Sequence, residues 1–373
     1  MSSPGSSKRG LRYGFSTGAC AAAAAFGAAR LLQSQKCIEQ VSLELPAGFS
    51  AEFPLHGQDW DAHRARCFVV KDAGDDPDVT HGVEVHADLA WDESLPGEVE
   101  LCAGPGVGRV TLPGLAVAVG APAINPVPRR MILAAIRSVF PQLVDDRGLR
   151  VTFSIPDGEQ RAERTLNARL GIVGGLSLLG TTGVVTPLSH RAWTDTLDTA
   201  LDVAKACDCD TVVGSTGRTS ERAVQQRLSL ADEAFVLMGD YVAYFLQACA
   251  SRGFSRVLLS VQFAKLVKIA AGHAQTHVRS SRLELATLAG WGSDCGLDPV
   301  VVERIELANT AREVFGLPGV QQLLLPLVAE RALAIMRQSL PGVATEILVC
   351  DYDGASRWRF GERPEHGSGE GGA

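Results

Sequence analysis

A cation-rich stretch in the last third of the chain is the clearest candidate for chemistry. Residues 261–282, "VQFAKLVKIAAGHAQTHVRSSR", contain Lys265, Lys268, Arg279 and Arg282 and no acidic side chain. Ammonium and guanidinium groups suit a polyanionic ligand. A solvated helix face is the alternative interpretation of the same pattern.

Two histidines in this stretch exclude one reaction. His273 and His277 are four residues apart, as in zinc proteases, but Ala274 stands where that motif requires a glutamate. The general base is therefore missing, and we reject metalloprotease chemistry.

The start of the chain offers an anion site. In "GFSTGAC", residues 14–20, Ser16 or Thr17 is a suitable N-cap for the alanine-rich helix that follows Gly18. Unbonded N–H groups and the helix dipole favour a bound anion there. Simple helix capping is the alternative.

An acidic loop, "KDAGDDPDVTHG" at residues 71–82, contains Asp75 and Asp76 among its aspartates. Its spacing is not that of a calcium loop. The loop is either an acidic turn or a set of carboxylates that face a cation. We predict no protein-bound metal here, because His81 and His86 are isolated.

Two further segments offer polar groups beside prolines and glycines. Asn125 and Arg129 flank the prolines of "NPVPRR", and the arginine fork suits carboxylates. In "VVGSTGRTSERA", Gly217 lies in a strand-to-helix loop and Glu221 in the first helical turn. There Glu221 either supports the helix cap or reaches a ligand hydroxyl or cation.

A glycine-rich apolar segment spans residues 167–189, "NARLGIVGGLSLLGTTGVVTPLS". Its glycine spacing does not match the dinucleotide-binding fingerprint. The "GTTG" turn could cradle a polar ligand with backbone N–H groups and two hydroxyls. Close packing of strand and helix is the alternative. The candidate residues are Gly174, Gly175, Gly180, Thr181, Thr182 and Gly183.

The pattern of elements predicts two domains. Residues 11–146 combine a helix at 20–33 with short alternating strands, which indicates an α+β domain. Residues 147–360 alternate apolar strands with helices, which predicts a Rossmann-like α/β domain with a parallel sheet. We place the glycine-rich segment at a strand's carboxyl end, where such sheets bind ligands. Residues 361–373 form a predicted disordered tail, and the first ten residues are expected to fray.

Composition excludes several classes of protein. The formal charge of −7 argues against a nucleic-acid partner. No apolar run is long enough for a membrane helix, and the polar start has no signal core, so we expect a cytoplasmic protein without a membrane partner. A homo-oligomer stays open.

Taken together, these segments resemble the cobalt-precorrin-5B C(1)-methyltransferase family of cobalamin biosynthesis. The resemblance rests on "STGACAAAAA", "KDAGDDPDVTHG", "GVGRVTLPGL", "PAINPVPRRMI", "LNARLGIVGGLSLLGTTGVV" and "KLVKIAAGHAQTH". It spans about residues 11–351. The chain departs from the family pattern at residues 261–264 and 239–241, where Gly-His-Ile-Gly and Ser-Asn-Phe are usual.

The resemblance implies a methyl donor, S-adenosylmethionine, and an anionic cobalt-tetrapyrrole substrate that is methylated at carbon 1. It implies no catalytic residue that we can name. The implied substrate-binding residues are Ser16, Thr17, Gly18, Arg129, Lys265, Lys268 and His277. The implied donor-binding residues are Asp75, Asp76, Asn125, Gly174, Gly175, Gly180, Thr181, Thr182, Gly183, Gly217 and Glu221.

Two alternative functions stay open at this point. Strand–glycine–helix units also occur in nicotinamide-dependent reductases, and the departures from the family pattern would suit a tetrapyrrole-binding protein that has lost catalysis. Binding of S-adenosylmethionine would separate the three hypotheses.

Overall fold

The structure is a computed structural model that describes residues 10–141, 147–187, 189–277 and 285–361. The chain divides into an N-terminal unit, Met1–His190, and a C-terminal unit, Arg191–Ala373. The division falls later than the predicted boundary after residue 146, because the strand at Gly148–Ser154 pairs inside the N-terminal sheet. Of the predicted tail, Gly361 ends the last strand, while the other residues, 362–373, lie outside the described residues, as do residues 1–9.

Within its described residues, the N-terminal unit contains a five-stranded mixed sheet, short strand pairs and three α-helices. Its elements are β1 Gly14–Phe15, α1 Thr17–Ser34, β2 Gln40–Leu45, β3 Phe49–Pro54, β4 His56–Trp60, β5 Arg64–Val70, β6 Glu84–Asp92, β7 Val99–Ala103, β8 Gly106–Val107, β9 Arg109–Val110, α2 Pro126–Val139, β10 Gly148–Ser154, α3 Gly158–Ala162, β11 Ile172–Val173, β12 Gly175–Leu176 and β13 Val184–Val185.

One face of the five-stranded sheet, in the order β4-β5-β6-β10-β7, is covered by helix α1. Strand β5 alternates buried and exposed side chains, as expected when only one face is covered. The predicted early helix is confirmed by α1, whose residues from Ala19 to Ala25 are almost completely buried. Such small side chains let the helix backbone approach the sheet and helix α2 closely.

The C-terminal unit consists of a second five-stranded sheet and its helices. Its elements, beginning at the boundary between the units, are α4 His190–Ala206, β14 Thr211–Ser215, α5 Arg218–Gln225, β15 Phe235–Leu237, α6 Val242–Arg252, β16 Arg256–Gln262, α7 Phe263–Ala270, α8 Leu285–Asp294, α9 Pro299–Leu307, α10 Ala311–Phe315, α11 Leu325–Ser339, β17 Ala344–Cys350 and β18 Ser356–Gly361.

The predicted parallel sheet lies in this unit, in the order β15-β14-β16-β17-β18, with only β18 antiparallel. Numbered within the unit, the order is 2-1-3-4-5, which is the doubly wound order of flavodoxin-like sheets. Along the sheet, the connection from β14 to β15 runs in the opposite direction to the connections from β15 to β16 and from β16 to β17. Right-handed crossovers therefore place α5 on one face and α6, α7 and α11 on the other.

The placement of the glycine-rich segment in the parallel sheet was wrong. Strands β11 and β12 belong to the N-terminal unit, where they pair with β9 and β8 as two-residue ladders. The apolar, glycine-rich sequence resembles that of a buried parallel strand because its backbone is buried among irregular loops.

No helix among the described residues is long and apolar enough to cross a membrane.

Candidate functional sites

The amino end of helix α1 is bound to the glycine-rich segment of the same unit. Ser16 Oγ caps the helix by accepting from the Ala19 N–H at 3.2 Å. Thr17 Oγ1 accepts from the Leu179 N–H and donates to the Ser177 carbonyl, each at 3.0 Å. The Gly18 N–H donates to the Leu179 carbonyl, and the Ser16 N–H donates to Gly183. These donors, which we predicted for an anion, are therefore engaged within the protein.

The glycines of the segment are explained by close contacts with the protein itself. A Cβ at Gly175 would lie 2.2 Å from the Gly106 carbonyl carbon, and one at Gly180 would lie 2.4 Å from Ser16 Cβ. Gly183 is packed against Leu45. Packing within the protein therefore explains these three glycines, of which Gly180 stays partly exposed, and their part in binding a ligand stays a prediction. Gly174 has open space around it, and Thr181 and Thr182 are exposed.

Helix α2 begins beside the same segment. The Asn125 N–H donates to the Leu178 carbonyl at 3.0 Å, and a Cβ at Gly18 would lie 2.4 Å from Pro128 Cγ. The amino ends of α1 and α2 are thus brought together. Asn125 and Arg129 are exposed there, and the Asn125 side chain makes no capping hydrogen bond. Both side chains are therefore accessible to a ligand at this point.

The acidic loop does face cations, but they are the protein's own. The Asp75 carboxylate accepts from the Arg12 backbone N–H at 2.7 Å, and Asp72 pairs with the Arg12 guanidinium. Lys71, only 1% exposed, lies 2.6 Å from Asp78 Oδ2. Burial alone would raise the pKa of Asp78, but Lys71 and hydrogen bonds from Thr80 hold that pKa below its usual value. The loop therefore supports the fold, and Asp76 also has a partner.

The carboxyl edge of the parallel sheet, which we define as residues 215–217, 238–240 and 262–265, is the second candidate site. Strand β14 lies between β15 and β16, which is where the winding direction reverses. Ligands of doubly wound sheets bind in the crevice outside the strand ends at this point. The two predicted residues here are Gly217, which begins α5 with open space beside it, and Glu221, which is buried in the first turn.

One buried hydroxyl at the carboxyl edge lacks a partner. Ser215 Oγ, at the end of β14, is buried and forms no hydrogen bond with any described residue, although the Ser215 carbonyl accepts from the Met238 and Gly239 N–H groups. An unsatisfied buried polar group costs free energy. Such a group is expected where a bound polar ligand completes the hydrogen bonding.

Four side chains at and beside the carboxyl edge form a charged network that we call the Asp240 network. Asp240 Oδ1 accepts from Lys265 Nζ and, at 2.6 Å, from Thr276 Oγ1. The buried Thr276 carbonyl in turn accepts from Lys265 Nζ at 3.1 Å and Lys268 Nζ at 3.0 Å. Both predicted substrate-binding lysines therefore face the same carbonyl.

Charges in the Asp240 network shift two pKa values. Burial would raise the pKa of Asp240, but Lys265 and Thr276 bind its ionised form and keep the pKa low. Burial, assisted by Lys265, lowers the pKa of Lys268. His277 is exposed and its charge also favours ionised Asp240. Arg279 and Arg282 lie outside the described residues.

Sequence reasoning missed the role of Asp240 and did not consider Thr276. The signal was present, because an acid-free cationic stretch needs a carboxylate from elsewhere in the chain, and Asp240 follows an apolar strand. A doubly wound sheet with polar side chains at its reversal point is typical of enzymes that bind small ligands.

The comparisons with known proteins agree with this class. The CbiD family model matches residues 5–187, and the model of the CbiD C-terminal domain matches residues 275–360. The chain belongs to the CbiD family.

Curated relatives resemble the chain over almost its whole length. A cobalt-precorrin-5B C(1)-methyltransferase of Geobacter metallireducens is 51% identical over 357 residues, covering 92% of this chain and 97% of the relative. Its namesake in Pelobacter propionicus is 50% identical over 92% of this chain and 95% of its own length. That of Bradyrhizobium sp. is 42% identical, with 93% of each chain covered.

A solved structure also matches. The cobalamin biosynthesis protein (cbiD) from Archaeoglobus fulgidus is 27% identical, with 70% of this chain and 80% of that chain covered and a TM-score of 0.38.

Proposed function

We propose that the protein is a cobalt-precorrin-5B C(1)-methyltransferase of cobalamin biosynthesis that uses S-adenosylmethionine as methyl donor. The observation that carries this proposal is about 50% identity to enzymes of that name over more than nine-tenths of the chain. Family membership removes the basis for the reductase alternative, which rested only on strand–glycine–helix units.

The donor, when bound, supplies a methyl group on a sulfonium centre, which carbon 1 of the macrocycle accepts as S-adenosylhomocysteine leaves. This displacement needs no covalent enzyme intermediate. The chain's contribution is to bind both molecules, align them and exclude water.

We place the donor at the carboxyl edge of the C-terminal unit, beside Gly217 and Glu221. Open space at Gly217 and the unpartnered Ser215 hydroxyl support this placement. The competing residues of the N-terminal unit are less suitable, because Asp75 is bound to Arg12, Gly175 and Gly183 are buried, and Gly180 is packed against Ser16. Of that set, Asn125, Gly174, Thr181 and Thr182 stay candidates.

The macrocycle has acetate and propionate groups at its edge, which require donors. In the N-terminal unit, the exposed Arg129 in the first turn of α2 is the candidate for these contacts, because the donors at the start of α1 are already bonded within the protein. In the C-terminal unit, Lys265, Lys268 and His277 are the candidates, with Asp240 holding the first of them in place.

The test is incubation of the purified protein with methyl-labelled S-adenosylmethionine and cobalt-precorrin-5B. We expect label in the tetrapyrrole and an equal amount of S-adenosylhomocysteine, with neither formed when the tetrapyrrole is omitted. Binding of the tetrapyrrole without any transfer would favour the carrier alternative and contradict the proposal.

A further inference from the structure

A cavity that opens to solvent lies between helices α7, α8 and α11 of the C-terminal unit. Its volume is about 390 Å³. Small-molecule sites have volumes of roughly 300–1,000 Å³, so this cavity is large enough for a small ligand or for one arm of a larger one. Its lining includes Val267, Lys268, His273, Leu288, Trp291 and Ile335.

Lys268 is a buried cation without a carboxylate partner. The residue is 7% exposed, and its Nζ donates to the Thr276 carbonyl. Within the described ranges no carboxylate oxygen lies within 4.0 Å of this ammonium group, although Asp240 is close enough to favour its charge. A desolvated charge without a counter-ion is costly. An anion in the cavity would offset that cost.

The rest of the lining suits an apolar or flat body. Val267, Leu288 and Ile335 are aliphatic, and Trp291 presents an indole ring. The Arg331 guanidinium lies 4.8 Å from the centroid of that ring, which fixes its orientation. A ligand that places an anionic group on Lys268 can therefore cover its remaining surface with apolar contacts.

We propose that this cavity, the Lys268 cavity, binds a carboxylate attached to an apolar or flat body, with Lys268 as its anchoring cation. The identity of the ligand rests on the proposed function, which supplies two sources of this chemistry. The methyl donor has a carboxylate and an adenine, and the macrocycle has carboxylate arms. Because Lys265 and Lys268 share the Thr276 carbonyl, a carboxylate on Lys268 would also contact the Asp240 network.

The experiment compares the wild-type protein with Lys268→Met, which removes the charge and keeps the length of the side chain. Calorimetry measures the affinity for 2-naphthoate and uncharged 2-naphthamide, then for S-adenosylhomocysteine, adenosine and cobalt-precorrin-5B. Lys36→Met, at an exposed lysine of the other unit, is the matched control. Ala271→Phe, which fills the cavity from its rim without changing Lys268, is the second variant.

We expect Lys268→Met to weaken 2-naphthoate binding about tenfold or more, as for loss of a charge-assisted hydrogen bond, and to leave 2-naphthamide unchanged. Ala271→Phe should weaken both probes, and Lys36→Met neither. Loss of S-adenosylhomocysteine affinity with adenosine unaffected identifies the donor as the source. Loss confined to cobalt-precorrin-5B identifies a macrocycle arm.

Equal 2-naphthoate affinity in wild type, Lys268→Met and Ala271→Phe would overturn the proposal. If Lys268→Met does not fold, Ala271→Phe decides alone by the same comparison. Failure of methyl transfer by the wild-type protein would contradict the proposed function, yet the two naphthalene probes would still decide whether the cavity binds carboxylates.

Discussion

The amino ends of α1 and α2 and the carboxyl edge of the C-terminal sheet both combine glycines, hydroxyls and charged groups, but they use them differently. In the first region, hydroxyls and N–H groups are bonded to the segment at residues 177–183, and Lys71 is neutralised by Asp78. In the second, among the described residues, the Ser215 hydroxyl forms no hydrogen bond, and Lys268, beside this edge in the Asp240 network, has no carboxylate oxygen within 4.0 Å. Polar groups that lack a hydrogen bond and charges that lack a counter-ion, more than the residue types, distinguish a candidate binding site from a region whose polar groups stabilise the fold.

The largest expected effect comes from two adjacent glycines of the first region. Gly175→Ala places a Cβ 2.2 Å from the Gly106 backbone, whereas Gly174→Ala enters open space at φ 84°. We expect Gly175→Ala to lower the free energy of unfolding by more than about 3 kcal/mol and Gly174→Ala by about 1 kcal/mol. Urea unfolding measures both, and equal costs would contradict the packing explanation.

Reversal of one charge in the Asp240 network should have the next largest effect. Lys265→Glu puts a second carboxylate beside Asp240, and we expect a loss of about 1–3 kcal/mol in unfolding free energy. The double variant Lys265→Glu, Asp240→Lys should recover part of the loss in a double-mutant cycle. Strict additivity would show that the two side chains do not interact.

The two regions should respond to pH in the same direction but in different ranges, because the pKa of Asp78 and the pKa of Lys268 are both lowered in the fold and stability therefore rises with pH in the acid range for Asp78 and in the alkaline range for Lys268. The pKa of Asp78 is lowered in the fold, so its stabilisation is full above the unfolded value of about 3.9 and is lost as pH falls through the folded pKa. The pKa of Lys268 is also lowered, so the fold releases this proton first and stability rises as pH increases from the folded pKa toward about 10.4.

Unfolding midpoints measured over a range of pH values test the direction of both changes in stability. Asp78→Asn should weaken the dependence of stability on pH in the acid range and leave it unchanged in the alkaline range. Lys268→Met should weaken this dependence in the alkaline range and leave it unchanged in the acid range. If stability changes with pH in the alkaline range equally in the wild-type protein and in Lys268→Met, this would argue against a desolvated ammonium at this position.

The smallest expected effect concerns the exposed arginines of α2. Arg129→Ala should raise the KM for cobalt-precorrin-5B a few-fold at low salt, with a smaller difference at high salt because exposed charges are screened. Arg130→Ala, at the next exposed position, is the matched control. If the two variants behave alike, Arg129 has no specific place in the site.

Local patterns predicted the regular elements well, because their signals lie within each segment. The alanine-rich run after the Ser16 cap predicted α1, and the alternation of apolar strands with helices predicted the parallel sheet that contains β16. The glycine-rich segment was misplaced, since a backbone buried against Gly106 and Ser16 has the same composition as a buried strand. The composition of the glycine-rich segment does not reveal which other residues bury its backbone.

The candidate site was only partly predictable. The charge pattern identified Lys265 and Lys268, but it could not show that both point at the carbonyl of Thr276 or that Asp240 holds one of them. These contacts join residues that are 8 to 25 positions apart in the chain. The acidic loop shows the same limit, because its counter-ion Arg12 comes from 60 or more positions away.

The buried alanines of α1 affect how variation within the family should be interpreted. From Ala19 to Ala25 the side chains are almost completely buried against neighbouring elements, so a larger side chain would have to displace those neighbours. Selection against overpacking will therefore slow neutral drift along this segment whether or not it touches a substrate. Sequence identity among relatives at this helix is a record of steric limits, whereas identity around Lys268 would carry information about chemistry.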